Sequence, residues 1–336
     1  MRKILTNKQQ NRPPGSEYEG KAFTFQQIHE SVYMAVGTGN LVVASNGAIV
    51  INDDDVLVVD SHISPASAWA LREEMKEITD KPLRYVVNTH FHFDHCHGNQ
   101  IYGPDVEIIS HEFTRDMIVA GESNKGKTYT TMMAGLPQTI SDLKAQVSAT
   151  TDQAERAELE RQLQIQQNYA VAADSVEPTP PTITLTDQLS LFGGDREIRM
   201  IHLGRAHTGG DVVVHLPGER IVITGDLIVD GTPYMGDGYL TEWIGTLDNL
   251  RELDFDVILP GHGQPLHGKS QIDNLQAYIS DLLSKITDAH ATGTPAEDAA
   301  QSIDMMAHAG NFPGIVEVGV SPAAVERAYE LFDQGN

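Results

Sequence analysis

Residues 85–102, YVVNTHFHFDHCHGNQIY, decide the fold of this chain. The stretch begins with an apolar run typical of a strand, and four potential metal ligands follow within six residues: His90, His92, Asp94 and His95. Residues two apart in an extended segment point to the same side, so the first three side chains can converge. Two imidazoles and a third nitrogen suit one zinc ion, and an Asp with a His begins a second site.

The alternative is a histidine-rich surface loop in a chain that contains 14 histidines. The β-type run before the cluster and Gly98 beside it favour a built site, because rigid scaffolds place chemistry in loops that follow strands. His97 falls outside the spacing, and we expect it to lie behind the ligands or to face solvent.

The pattern HxHxDH followed by HGN resembles the motif of the metallo-β-lactamase superfamily of binuclear metallohydrolases, and the resemblance extends over roughly residues 23–286. It implies an α/β fold, an αββα sandwich of two mixed β-sheets flanked by helices. It also implies seven metal ligands: His90, His92 and His207 in a first site, Asp94, His95 and His262 in a second, and Asp226 shared by both.

The three later ligands follow short β-type runs. His207 lies in LGRAHTGGD, Asp226 ends RIVITGD, and His262 lies in VILPGHGQP. A cysteine takes the place of Asp226 in one large subclass of β-lactamases, so this chain departs from that subclass. Asp60 matches a position that supports the metal loop in the family, and a turn residue before a helix is the alternative.

The resemblance implies a hydrolase in which hydroxide bound to two zinc ions attacks the carbonyl carbon of a small lactam, lactone, ester or thioester. Asp94 is then expected to be catalytic as well, because it can orient the nucleophile or shuttle its proton. Iron or manganese could replace zinc at such ligands. Tyr234 and His62 are the expected pocket residues, and an iron-dependent oxidoreductase on the same fold is the alternative function.

Composition limits the partners and the cellular compartment. The formal net charge of −24 should repel polyanions, which disfavours nucleic acid and favours a small-molecule substrate. The sequence has no apolar run long enough to span a membrane and no apolar core of a secretory signal. A cytoplasmic enzyme is therefore expected, with a mature periplasmic form as the alternative, and the single cysteine excludes an intramolecular disulfide.

The order of polar, β-type and helical segments along the sequence predicts three regions. Residues 1–22 are polar and predict a flexible or surface-draped arm. Residues 23–290 are expected to form the metallo-β-lactamase-type domain, interrupted at about 114–181 by a helical hairpin that turns near residues 150–152. We expect this insertion to be a packing arm or a contact in a homo-oligomer, and a lid is the alternative. Residues 291–336 predict a helical C-terminal extension.

Overall fold

The computed structural model describes residues 12–335, so the first half of the predicted N-terminal arm lies outside the described residues. Contacts between Cα atoms divide the chain into two compact units. The first comprises the residues up to Val86, His92–Ile108 and Met117–Thr182, and the second comprises Val87–Phe91, Ile109–Asp116 and the residues from Ile183 onward.

Thirteen described strands form two mixed sheets. Seven strands follow chain order in one sheet: β1 (Phe23–His29), β2 (Val32–Gly37), β3 (Gly47–Ile51), β4 (Val56–Val59), β5 (Leu83–Val87), β6 (Glu107–His111) and β7 (Ile183–Leu185). Six form the other sheet, in the spatial order β13-β12-β11-β10-β9-β8: β8 (Gln188–Gly193), β9 (Arg196–Ile201), β10 (Val213–Leu216), β11 (Ile221–Gly225), β12 (Val257–Pro260) and β13 (Leu266–His267). Each sheet contains a parallel pair, β6 with β7 and β11 with β12.

Nine α-helices are described: α1 (Pro65–Glu74), α2 (Phe93–Cys96), α3 (Glu112–Val119), α4 (Lys127–Ala149), α5 (Gln153–Asp174), α6 (Leu240–Glu252), α7 (Ser270–Ala291), α8 (Ala296–Ser302) and α9 (Pro322–Asp333). The fold prediction of two mixed sheets with helices, an inserted helical pair and a helical C-terminal region is confirmed. No described helix has both the length and the apolar character needed to cross a membrane.

One core of the first unit lies between the strands β1–β4 and the helix α1, whose buried face packs against them. Glu74 at the end of α1 is buried, and its carboxylate accepts hydrogen bonds from the backbone N–H groups of Ala22 and Phe23 at 2.8 and 3.1 Å. The hydroxyl of Tyr18 donates to the same carboxylate at 2.7 Å. These bonds fix the start of β1 against α1, and they hold the described part of the N-terminal arm in place.

The inserted helices α4 and α5 turn at residues 150–152, where Asp152 caps α5 by accepting from the backbone N–H of Glu155 at 2.8 Å. Their apolar residues form a small cluster around Ile63, Leu136 and Tyr169. Met132 and Met133 in α4 are partly buried and pack against this cluster.

The second unit has the largest core, formed by α6–α9 and the strands β10–β12. Trp243 of α6 is fully buried, and its indole N–H donates to the carbonyl of Leu227 at 3.0 Å. Leu247 and Leu250, on the same helix, are also fully buried and belong to this core. The C-terminal helices thus cover the segment that follows β11.

Candidate metal centre

The HxHxDH loop begins where β5 ends, and its second half lies in the short helix α2 of the first unit. Within that unit, Asp94 and His95 lie side by side, with the Asp94 Oδ2 atom 3.5 Å from the His95 Nε2 atom. The other ring nitrogen of His95, Nδ1, is 2.8 Å from the carboxylate of Asp60, and both side chains are buried. Asp60 therefore supports the metal loop, as the resemblance implies, and it orients Nε2 of His95 away from itself.

The backbone around Asp60 is strained in a way that the sequence does not indicate. Asp60 and His62 both adopt left-handed conformations, with φ of 66° and 63°. Non-glycine residues rarely do so, and such strain concentrates at functional sites.

Gly98 allows this segment and α2 to approach closely. A Cβ atom at position 98 would lie 2.0 Å from the carbonyl oxygen of Ser61 and 2.4 Å from the Cβ atom of Ala68. The N–H of Ser61 in turn donates to the carbonyl of His95 at 2.9 Å. A side chain at position 98 would therefore push the loop away from its support.

The second unit contains four of the ligand candidates, His90, His207, Asp226 and His262, whereas His92 belongs to the first unit. His90 packs edge to face against His207, with ring centroids 4.7 Å apart. The Nδ1 atom of His207 lies 2.8 Å from the backbone carbonyl of Tyr234, which can only accept a hydrogen bond. The proton of a neutral His207 therefore sits on Nδ1, and Nε2 carries the lone pair.

Asp226 follows β11, and its carboxylate lies between two imidazoles. Its Oδ2 atom is 3.6 Å from Nε2 of His207 and 3.2 Å from Nε2 of His262. Two ligands of a tetrahedral ion, each about 2.0–2.1 Å from it, lie about 3.3 Å apart. The observed distances therefore fit donors arranged around a metal ion.

Three overlapping groups of donor atoms could each hold a metal ion: His90 with His92 and His207, Asp94 with His95 and His262, and His90 with His95 and Asp226. In each group the donor atoms all lie within 4.8 Å of one another. Each of the seven residues that the sequence predicts as ligands has a donor atom in at least one of these groups. Nitrogen and carboxylate donors in this mixture suit zinc, iron and manganese.

Sequence reasoning missed Asp211, which fixes the loop that carries His207. Its buried carboxylate accepts from the backbone N–H of Thr208 at 2.9 and 3.1 Å and from the Thr208 hydroxyl at 2.6 Å. An aspartate three residues beyond a threonine in a glycine-rich turn is a signal that could have identified it.

The remaining singled-out residues are buried. His62 packs against Phe23 with ring centroids 5.0 Å apart. The pKa of His62 is lowered to about 3, mainly by burial and to a smaller extent by the nearby charge of His95. His97 does not face solvent, because it packs against Tyr129, and burial lowers its pKa to about 4. Cys96 is also buried, and burial raises the pKa of its thiol. Tyr234 is partly buried; its carbonyl accepts from His207, and its ring centroid lies 6.4 Å from that of His207.

Three curated relatives match most of this chain. It is 24% identical to a linear primary-alkylsulfatase of a Pseudomonas species over 254 residues, which are 70% of this chain and 44% of that protein. It is 25% identical to the alpha subunit of a 2,4-dinitroanisole O-demethylase of a Nocardioides species over 74% of this chain and 60% of that protein. It is also 25% identical to the human acyl-coenzyme A thioesterase MBLAC2, over 69% of this chain and 73% of that protein. The chain therefore spans less than two thirds of the length of the first two.

Solved structures share the fold. A metallo-β-lactamase from Pontibacter korlensis superposes with a TM-score of 0.55 at 18% identity, over 77% of this chain and 99% of that chain. The metallo-β-lactamase FIM-1 from Pseudomonas aeruginosa, in its mono-zinc form, superposes with a TM-score of 0.54 at 20% identity, over 80% and 99%. The family model of the metallo-β-lactamase superfamily matches residues 41–103 and 137–262, which are more than half of the chain. The chain therefore belongs to the metallo-β-lactamase superfamily, a family of hydrolases whose members generally bind metal ions.

Proposed function

We propose that the chain is a hydrolase that holds two zinc ions and cleaves a small lactam, lactone, ester or thioester at its carbonyl carbon. The observation that carries the proposal is the meeting of seven donor side chains in three overlapping groups. The similarity to a human acyl-coenzyme A thioesterase supports the thioester among these substrates.

The proposed ligands form two sets that share one carboxylate. They are His90, His92 and His207 for the first ion, Asp94, His95 and His262 for the second, and Asp226 for both. Two divalent ions, when bound, would lower the pKa of a water molecule toward about 7 and polarise a carbonyl oxygen.

The chain's own residues prepare the donors for this role. The Asp60 carboxylate and the Tyr234 carbonyl hold the Nδ1 atoms of His95 and His207, each at 2.8 Å. A histidine whose Nδ1 donates in this way presents Nε2 as the ligand atom with little loss of freedom on binding. Both contacts also resist rotation of the rings.

Asp94 is the proposed catalytic residue besides being a ligand. The hydroxyl of Ser45 donates to its backbone carbonyl at 2.5 Å, which fixes the residue within α2. Asp94 is buried, and its carboxylate is one of the donors in a ligand group, so it can accept a proton from the attacking water and orient that water.

The substrate is proposed to be a small molecule rather than a polyanion. A net charge of −24 exceeds what two divalent ions could offset, so nucleic acid would be repelled. A cytoplasmic location and a homo-oligomer contact through α4 and α5 remain predictions.

The proposal is tested by a hydrolysis screen on protein whose metal content has been measured. An acyl-coenzyme A thioester, a lactone, a lactam and a linear alkyl sulfate are offered to the wild type, to His207→Ala and to His29→Ala. His29 is an exposed histidine in β1 and serves as the matched control.

We expect at least one carbonyl substrate to be cleaved by the wild type and by His29→Ala, and His207→Ala to lose both zinc and activity. Cleavage of the alkyl sulfate alone would overturn the carbonyl assignment. Full activity of His207→Ala would overturn the proposed centre.

A further inference from the structure

A cavity of about 580 Å³ lies within the second unit. Its wall is formed by residues 232–235 after β11, by α7 and α8, and by residues 314–322 leading into α9. This volume lies within the range of about 300–1,000 Å³ that small-molecule sites occupy.

The wall changes in character from its floor to its rim. The floor is apolar and buried, with Met235, Leu282, Met305 and Ala324 each at most 4% exposed. The rim is exposed and carries polar side chains such as Gln301 together with two valines. This gradient suits a ligand with an apolar body and a polar end, because only the body then loses contact with water.

The charge of the wall limits what the floor can hold. Among the lining residues Glu317 is the charged one, and it is exposed at the rim. No lining cation is present to neutralise an anionic group placed on the floor. A charged group would therefore stay at the rim or outside, whereas an uncharged chain could fill the interior.

One wall of the cavity is continuous with the support of a proposed metal ligand. Pro233 and Met235 line the cavity, and the residue between them, Tyr234, accepts the hydrogen bond from Nδ1 of His207 at 2.8 Å. A ligand that packs on this wall is thus one residue away from the group that orients His207.

We propose that this cavity binds a linear alkyl or acyl chain, the apolar part of the substrate of the hydrolase. One part of this inference, that the bound alkyl chain belongs to the substrate, rests on the proposed function. Unbranched methionine side chains suit such a ligand, because they adjust to a flexible chain more readily than branched residues do.

The binding test uses dodecanoate as the probe and butyrate as the reference, with titration calorimetry on the full chain below the concentration at which dodecanoate aggregates. Both probes carry the same carboxylate, so a difference in affinity between them is due to the length of the alkyl chain. Each methylene that leaves water is worth about 0.8 kcal/mol, which corresponds to about fourfold in affinity.

Two pairs of variants locate the binding. Val318→Glu places a carboxylate on the cavity rim, and Val171→Glu places one on α5, where the valine is exposed to the same extent, 51%. Ile315→Trp fills the cavity without adding charge, and Val171→Trp is its control. Because Val318 is half exposed, its variant tests the proposal even if Ile315→Trp does not fold.

We expect dodecanoate to bind at least tenfold more tightly than butyrate, and Val318→Glu and Ile315→Trp to remove most of this difference while both control variants keep it. Binding should also slow amide hydrogen exchange at Gly319 and Val320, whose N–H groups bond to the carbonyls of Ile303 and Ala300. Equal loss in the two glutamate variants would show that net charge, not the cavity, sets the affinity, and would overturn the proposal.

The outcome separates this inference from the proposed function. Chain-length-dependent binding that Val318→Glu abolishes, in a protein that cleaves no substrate of the screen, supports the cavity and contradicts the hydrolase. Hydrolysis whose KM is the same for short and long acyl chains, with dodecanoate bound no better than butyrate, supports the hydrolase and contradicts the cavity.

Discussion

Replacing Asp60 should weaken one metal site without unfolding the protein. Its carboxylate lies 2.8 Å from Nδ1 of His95, and both side chains are buried. Loss of a partner that orients a metal-bound histidine typically costs 10–100-fold in metal affinity, or about 1.4–2.7 kcal/mol. We expect Asp60→Asn to show this loss, because the amide oxygen can still accept from Nδ1 but no longer carries charge.

The backbone at position 60 makes asparagine the informative replacement. Asparagine tolerates the observed φ of 66°, so Asp60→Asn should unfold at nearly the wild-type denaturant concentration. Asp60→Ala should lose about 1–3 kcal/mol of stability for the buried N–H left without an acceptor. The left-handed backbone adds about 1–2 kcal/mol to that loss.

The assay is competition for zinc with a chromophoric chelator, fitted to two sites. Asp256→Asn is the control, since its side chain is 67% exposed and bonds to Arg220. The account predicts one weakened site in Asp60→Asn and two unchanged sites in the control. Wild-type affinities at both sites in Asp60→Asn and in Asp60→Ala would refute the reasoning.

Four further variants test the packing of the fold. Gly98→Ala should lower metal content and stability, because its Cβ atom would lie 2.0 Å from the Ser61 carbonyl oxygen. Gly135→Ala in α4 meets nothing within 4 Å and should stabilise by about 0.5–1 kcal/mol in urea unfolding. Glu74→Ala should cost about 2–5 kcal/mol, because two backbone N–H groups and a hydroxyl lose their acceptor in the core. His62→Asn should make the free energy of unfolding less sensitive to acid. In the wild type the pKa of His62 is lowered to about 3 in the folded state, whereas a free histidine has a pKa of about 6.5. The neutral ring therefore costs no stability above about pH 6.5, and the free energy of unfolding falls by about 1.4 kcal/mol per pH unit between about pH 6.5 and about pH 3.

Three of these variants have an outcome that would contradict the structural reasoning. Gly98→Ala with wild-type metal content would mean that the loop tolerates displacement. A Glu74→Ala protein as stable as the wild type would show that the arm contributes nothing to folding. For His62, urea unfolding of metal-free protein at pH 7, 6 and 5 should give a gap between wild type and variant that changes with pH. A constant gap would contradict a neutral buried imidazole.

The sequence singles out the donor residues because their identity and spacing are local. Four of the seven lie within six residues, and the other three each follow a β-type run that the structure confirms as β9, β11 or β12. The inserted hairpin was also predictable, since its turn at residues 150–152 separates two amphipathic stretches that become α4 and α5. The expected domain boundaries remain predictions.

Other features depend on contacts that no local pattern encodes. The run FQQIHESVYMAVG reads as one strand but forms β1 and β2, because the chain turns at Glu30 and Ser31, which carry no glycine or asparagine signal. The hydrogen-bond acceptor for Nδ1 of His207 is the backbone carbonyl of Tyr234. Because every residue has such a carbonyl, the sequence cannot show which one His207 contacts. The cavity beside α7 arises from packing between segments about 80 residues apart.

The most direct test is the zinc content of the purified chain after loading with excess zinc and gel filtration, measured by native mass spectrometry. The account predicts two zinc ions per wild-type chain and a vacant first site in the double variant His90→Ala/His207→Ala, which should also lose hydrolysis. A wild-type chain that retains no zinc, or a double variant that keeps both ions and full activity, would contradict the central claim.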